Sequence, residues 1–240
     1  MRVYIGFDDT DTLTAGRGTG KLARWFEQEL PDGCRLWGVV RQQLLLDDAI
    51  PYTSHNSSAC VVIECPDETS LDVLRAKAVA HVQKHFVQES DPGVCVVRER
   101  DPILPALVSF GLLCVKRVVT QGEAMAAANG HLSGLGGTND GIIGAAAAVG
   151  LTVHGWSGRF IEFGDLRAFP AAVSVDVLNR AGIHVVSIER DAQAFAPDDI
   201  IETSGWLRPR LWGGEPVLPV KPGEHGRWES LGKKRPHTNT

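Results

Sequence analysis

Three carboxylates stand close together near the start of the chain, in Gly6-Phe7-Asp8-Asp9-Thr10-Asp11, directly after an apolar stretch from Arg2 to Phe7. Anions crowded in this way repel one another, and a fold that keeps them together must compensate them with cations or hydrogen bonds. A hard, oxygen-seeking cation such as Mg²⁺, bridging to phosphate, meets that need. Behind them follows Gly16-Arg17-Gly18-Thr19-Gly20-Lys21. Its glycines let backbone N–H groups approach a phosphate, and it opens a helix, whose start favours an anion. Asp8, Asp9 and Asp11 are therefore candidate metal ligands. Gly18, Thr19, Gly20 and Lys21 are candidate phosphate contacts. The same residues also suit a plain turn in which Asp and Thr cap the strand and the helix.

A second glycine loop runs from Gly130 to Gly141 and enters a helix from Ile142 to Val149. It nominates Gly137, Thr138, Asn139, Gly141 and Gly144 for a nucleotide pocket, and it equally suits close packing of a small-residue helix. His55 and Asn56, in a polar loop from Asp47 to Ser58, either face a nucleotide or form an ordinary hydrogen-bonded turn. Other chemistries find less support. A Walker A loop needs Gly at Ala15 and Ser or Thr at Leu22. Gly134–Asn139 fails the dinucleotide pattern at its last position, and no GxSxG elbow supports a Ser/His/Asp hydrolase. His81 and His85 share a helix face at metal-ligand spacing. Without a Glu beside His81 they read as an ordinary surface pair.

The elements that must position these residues can be read from periodicity. Val3, Ile5 and Phe7 alternate as in a strand. Thr19 is the expected N-cap of a helix over Gly20–Leu30, with Leu22, Trp25, Phe26 and Leu30 as its apolar stripe. Strands follow within Cys34–Leu46 and over Ala59–Cys65, then a helix from Leu71 to Phe86 and a strand over Val94–Val97. The order β-α-β-β-α-β predicts an α+β chain whose N-terminal domain is ferredoxin-like, followed by a second, smaller α+β domain. Residues 1–100 form the expected ATP- and Mg-binding, kinase-like domain. Residues 101–195 form a glycine-loop domain, and 196–240 a basic, Trp-containing extension. In the second half, helices are expected over Leu104–Val118, Gln121–Asn129 and Val173–Ala181. Strands are expected within Leu151–Phe163 and over Ile183–Ile188. Beyond Pro197, Pro and Gly punctuation predicts hairpins or loops and no third core. Asp8 and Asp9 point to opposite faces of a regular strand and can share an ion only if the chain bends there.

The bulk properties narrow the class. A hydrophobic content of 43% over 240 residues supplies a packed core. No basic leader with an apolar run opens the chain, and no run is long enough to span a bilayer, so a cytoplasmic protein with no membrane partner is expected. Five cysteines without a CxxC pair predict a reducing compartment, no disulfide framework and no zinc site. The net charge of −5 argues against gross nucleic-acid binding. It is uneven, with +4 from Gly205 to Thr240, a segment that also holds Trp206, Trp212 and Trp228. Such interleaving can bind single strands, although a solvated terminus is the favoured reading.

The run IGFDDTDTLTAGRGTGKLA resembles the opening of the archaeal tRNA-isoleucine 2-agmatinylcytidine synthetase (agmatidine synthetase) family. A Pro51…Asn56 loop, an Asp91-Pro92-Gly93 turn and the run Gly141-Ile142-Ile143-Gly144-Ala145 follow in the order of that family's features. The resemblance covers roughly residues 1 to 190. It implies a reaction in which ATP and Mg²⁺ phosphorylate the C2 carbonyl oxygen of a cytidine before agmatine displaces the phosphate. It implies Asp8, Asp9 and Asp11 as metal residues and Thr19 as the phosphorylated threonine. This chain departs from the family at Gly20, where a second threonine is expected, and at Thr53-Ser54-His55-Asn56, where the family has Thr-Arg-Gly-Asn. The arginine expected before Gly141 is absent, with Asp140 near its place. The family's OB domain and zinc ribbon have no counterpart here, so the expected acceptor is a small molecule rather than tRNA. The leading expectation is an ATP- and Mg-dependent phosphoryl-transfer enzyme that activates a carbonyl oxygen of a small molecule or RNA base. The alternatives are a non-catalytic nucleotide-binding or RNA-associated module working with a partner, and a metal-dependent hydrolase indifferent to ATP.

Overall fold

The computed structural model describes residues 1–50, 55–189 and 194–232. Pro51, Thr53 and Ser54 of the polar loop, and the basic run Lys233-Lys234-Arg235, lie outside the described residues. In chain order the elements are β1 (Arg2–Asp8), α1 (Thr19–Trp25, continued by a 3₁₀ turn over Phe26–Glu29), β2 (Arg35–Gln43), β3 (Ser57–Glu64), α2 (Leu71–His85) and β4 (Gly93–Arg98). Then come α3 (Leu104–Cys114), α4 (Gln121–Ala127), β5 (Leu132–Gly134), α5 (Gly141–His154), β6 (Arg159–Glu162), β7 (Ala172–Ser174), α6 (Val175–Arg180) and β8 (His184–Ser187). The chain closes with β9 (Ile200–Glu202), β10 (Arg210–Trp212), β11 (Glu215–Pro222) and β12 (Trp228–Ser230).

One mostly antiparallel sheet runs through the molecule in the order β5-β4-β1-β3-β2-β6-β10-β11-β12-β9-β7, with β8 added to β11. Strand β1 lies between β3 and β4, antiparallel to both. Its pleat sorts its residues between two helical layers. Val3, Ile5 and Phe7 are fully buried beneath α1 and α2, against Leu22, Phe26, Leu74 and Val82. Full burial of each such side chain is worth about 1.5–3 kcal/mol. Tyr4 faces the other core, where α3 and α5 cover the sheet with Leu107, Phe110 and the buried run Ala145–Ala148. Asp8, in phase with Tyr4 and Gly6, is thus directed toward α5.

Several expectations are corrected. Helix α5 continues through Gly150 to His154, where a strand was expected to start at Leu151. Gly150 packs so closely on α3 that a Cβ there would overlap the Leu107 carbonyl, so the glycine serves the crossing of the two helices and does not end one. Thr19 is the first helical residue of α1. Gly18 is the N-cap, without a side-chain cap bond. Val173 and Ser174 belong to β7, and Ser174 caps α6 by accepting from Val177 N–H at 3.4 Å. His81 is buried, with its Nε2 2.9 Å from the Leu22 carbonyl oxygen and its ring beside Phe7 and Phe26. The buried positions 74, 78, 81 and 82 of α2 place it on the apolar face, so its pairing with the His85 ring, 4.8 Å between centroids, is not the surface pair expected.

The C-terminal region also differs. Ile201, Leu207, Leu211, Leu218, Val220 and Trp228 join Phe160, Leu178 and Ile183 in a third core, where hairpins or loops without a core were expected; the hairpins are there, β10 to β11 and β11 to β12. Through residue 232 the segment is therefore part of the sheet and not a solvated tail. Cys34 and Cys65 form a disulfide, with Cα atoms 4.2 Å apart, against the expectation of none. Arg35 pairs with Glu64 at the end of the β2–β3 ladder, so the flanking cysteines face each other. Cys60, Cys95 and Cys114 are free and buried, as small apolar residues. Among the described residues no helix is long and apolar enough to cross a membrane.

Candidate active site

At the C-terminal end of β1 a cavity of about 260 Å³ opens between the sheet, α5 and the loop after α3. Asp8, Asp9, Asp11, Thr19, His55, Asn56, Gly141 and Gly144 line it, together with Asp140, Cys114, Arg117, Leu44, Val118 and Val119. Asp9 has φ of 50°, in the left-handed region that Asp enters more readily than most residues. This is the bend required for neighbouring carboxylates to turn into one cavity. Gly144 faces Asp8 so closely that a Cβ on it would overlap the carboxylate Oδ2. The helix can therefore press on the acid cluster only with glycine at that position.

Asp11 organises the loop into α1. Its Oδ1 accepts from the Thr19 backbone N–H and from the Thr19 hydroxyl, each at 3.1 Å. The same hydroxyl oxygen accepts from Thr10 N–H at 3.3 Å and Thr10 Oγ1 at 3.0 Å. Thr19 is buried and its hydroxyl is held in a fixed direction beside a carboxylate. That is the geometry by which a base activates a hydroxyl nucleophile or aligns a phosphate-binding group.

The cluster is larger than the motif. Burial pushes the Asp8 carboxyl well above the ordinary range, and Asp9 and Asp11 push it further. Asp9 is raised to about 6, by burial first, then by Asp91, Asp11 and Asp140. Asp140 accepts from Gln121 Nε2, and Arg117 on the rim is paired with Glu123. Asp91 and Asp140 were not nominated from the sequence. Asp91 was legible only as part of a turn, and Asp140 only by its place before Gly141. Carboxylates that resist ionising together, and that offer oxygen donors alone, fit a hard divalent cation of the Mg²⁺ kind.

The other nominated residues sit elsewhere. Gly18, Gly20 and Lys21 line an adjoining cavity of about 330 Å³, which shares Asp11, Thr19, His55 and Ser57 with the first. Gly137, Thr138 and Asn139 line neither cavity. Thr138 instead binds the Asp91 carboxylate through its N–H at 3.0 Å and its hydroxyl at 2.6 Å. The first amides of α5 are also engaged, Gly141 N–H with the Asp91 carbonyl at 3.0 Å and Ile142 N–H with that of Asn139 at 3.2 Å. The glycine loop therefore docks α5 against the β4 turn. Asn56 Nδ2 donates to the Leu45 carbonyl at 2.6 Å and pins the polar loop to the end of β2.

No protein-family model matches this sequence, and no curated protein does. Similarity appears among solved structures. A tRNA fluorescent labeling enzyme is 26% identical with a TM-score of 0.52, over 62% of this chain and 36% of that one. Apo TiaS, the agmatidine synthetase of an isoleucine tRNA, is 25% identical with a TM-score of 0.52, over 62% and 35%. The complex of TiaS with that tRNA and ATP is 26% identical with a TM-score of 0.52, over 62% and 36%. This chain spans little more than a third of the length of those proteins. Over most of its own length it shares the TiaS fold.

Proposed function

We propose that the chain is an ATP- and Mg²⁺-dependent phosphoryl-transfer enzyme that activates a carbonyl oxygen of its acceptor. The observation that carries this reading is the meeting of Asp8, Asp9 and Asp11 with the Thr19 hydroxyl in one cavity, at the end of a central strand. Similarity to a synthetase captured with ATP supports it. So does the order of β1 to β4, which we read as a ferredoxin-like module carrying the site.

Asp8, Asp9 and Asp11 would hold the divalent cation. When bound, that cation neutralises the charge developing on transferred phosphoryl oxygens. Asp11 orients the Thr19 hydroxyl, so Thr19 either hydrogen-bonds the phosphoryl group or, giving its proton to Asp11, takes that group from ATP as ADP leaves and passes it to the acceptor oxygen. Leu44, Val118 and Val119 give the cavity an apolar wall that limits water. A carbonyl oxygen converted to a phosphate ester becomes a leaving group for an amine. The net charge of −5 favours a small-molecule acceptor over tRNA.

The test is incubation with Mg²⁺ and ATP, following ADP, AMP and pyrophosphate, beside Asp9→Asn and Thr19→Ala. Equal turnover by wild type and Asp9→Asn refutes the site. ATP bound without turnover, with candidate acceptors supplied, favours a nucleotide-binding module that works with a partner. Phosphate release from simple esters with no response to ATP favours a metal hydrolase.

A further inference from the structure

We propose that the 330 Å³ cavity beside Thr19 is the acceptor's docking site and that it grips a phosphate group of that acceptor. This rests on the phosphoryl-transfer reading of the acid cavity.

Five cations converge on the second cavity: Lys21, Arg24, Arg41, Arg167 and Arg208. They come from α1, β2, the segment after β6 and the segment before β10, so only the tertiary fold brings them together. Their compensation is thin. Glu162 serves two of them, Arg167 at 2.9 Å and Arg24 at 3.6 Å. Arg167 also donates to the Ile161 carbonyl at 3.3 Å. Arg41 Nε donates to Ser57 Oγ, a neutral partner, at 2.9 Å. Arg208 donates to the Leu207 carbonyl at 2.7 Å, and its guanidinium lies 3.7 Å from the centre of the Trp206 ring. Lys21 Nζ stands 5.3 Å from the Trp25 ring centre. Burial, then Arg167 and Arg24, lower Arg208 to about 10. Gathering like charges around a concavity costs the fold stability, and an anion in that concavity relieves it.

The chemistry of the lining points to phosphate. Arginine presents a planar fork that matches phosphate oxygens, and stacking on Trp206 fixes the plane of one such fork before any ligand arrives. The cavity also opens onto Asp11, Thr19, His55 and Ser57, which the acid cavity shares. A molecule anchored by its phosphate among the arginines extends toward the Thr19 hydroxyl, where the transferred group is held. The phosphate belongs either to a small phosphomonoester or to the backbone of a nucleic acid, and binding measurements separate these sources.

The experiment is calorimetric titration of the full chain with inorganic phosphate, with Mg²⁺ and a saturating non-hydrolysable ATP analogue present. Arg208→Gln is expected to weaken phosphate binding at least tenfold and the exposed Arg41→Gln about threefold, with analogue affinity unchanged within twofold. Arg41→Gln also guards against misfolding of the half-buried Arg208 variant, and melting curves accompany both. A second titration uses a single-stranded oligouridylate. Binding at least tenfold tighter than phosphate, weakened by salt and by Arg208→Gln, assigns the anion to a nucleic-acid backbone. Equal or weaker binding assigns it to a small phosphomonoester. The proposal is overturned if wild type does not bind phosphate, if both variants bind it as wild type does, or if the analogue competes with it. These titrations need no turnover, so phosphate binding that persists without ATP consumption sinks the phosphoryl-transfer reading and leaves the anion site standing.

Discussion

The acid cavity and the basic cavity meet at Asp11, Thr19, His55 and Ser57, and they are made in different ways. The acid side draws its carboxylates from one short stretch at the end of β1, and α5 is pressed onto it through Gly144. Its charges are concentrated, Asp8 and Asp9 are raised in pKa by burial, and neighbouring apolar side chains form part of its wall. The basic side gathers single arginines from elements far apart in sequence and keeps them more open to solvent. The metal-bridged nucleotide proposed for it would need several oxygen donors at short range, which a single bent strand end supplies. An anion's charge is met from several directions by long side chains, so the residues that hold it need not be neighbours in the chain. The two cavities thus differ in chemical sign and in how local their construction is.

The largest expected effect falls on the acid side. Asp9→Asn should lower Mg²⁺-dependent ATP consumption by about 10³-fold or more, measured as ADP or pyrophosphate release, because a ligand to the charge-neutralising cation is lost. The same change should stabilise the metal-free protein. Asp9 binds a proton more tightly in the fold than in the unfolded chain, so its ionisation costs stability as pH rises from about 4 through about 6. The gain at pH 8 should be about 1–2 kcal/mol after allowing for partial solvent screening, read from denaturant unfolding of both proteins. An equal loss of activity in Arg208→Gln, with ATP affinity also lost, would erase the distinction between the cavities.

Thr19→Ala should reduce turnover by about 10²-fold, while Thr19→Ser keeps most of it, since the hydroxyl held by Asp11 is what the site requires. Mass spectrometry after incubation with ATP sharpens this result, because a phosphorylated Thr19 marks it as a transient acceptor. Gly144→Ala should be next in size. The added methyl meets Asp8 Oδ2, and the overpacking should cost about 1–3 kcal/mol and weaken Mg²⁺ binding, with phosphate binding on the basic side unchanged. The smallest effect is a pH-dependent response to metal. Mg²⁺ should raise the melting temperature by a few degrees more at pH 8 than at pH 5, because at the lower pH the cation must displace a proton from Asp9. The same shift at both pH values would remove Asp9 from the metal site.

The first hundred residues were read well because their signals are local. The alternation in β1 and the turns around the first four strands gave the elements to within a few residues. Their pairing in the order β4-β1-β3-β2 is what positions Asp8 against α5. The C-terminal half was harder for a physical reason. Strands β7, β9, β10 and β12 have three residues each, too few to display a period, and Pro and Gly lie between them. Their stability comes from the third core, whose partners at Val40 and Phe160 are remote in sequence. The Cys34–Cys65 disulfide escaped for the same reason, since it depends on the β2–β3 register and on no CxxC spacing.

Taken alone, the order of residues determined that Asp8, Asp9 and Asp11 would crowd the end of one strand with Thr19 close behind, because a few covalent links leave them little freedom to part. It also determined that α5 would be lined with small residues. What it left open was the use of those small residues: whether the loop before α5 would cradle a ligand or bury itself against the β4 turn. Packing engages the amides of Gly141 and Ile142 with protein carbonyls, while Gly137, Thr138 and Asn139 stay exposed. Packing alone added Asp91 and Asp140 to the acid cluster, and packing alone turned scattered arginines into a basic cavity. Local chain geometry constrains neighbours directly. Charges contributed by distant elements become neighbours only after the hydrophobic cores have fixed where each strand and helix lies.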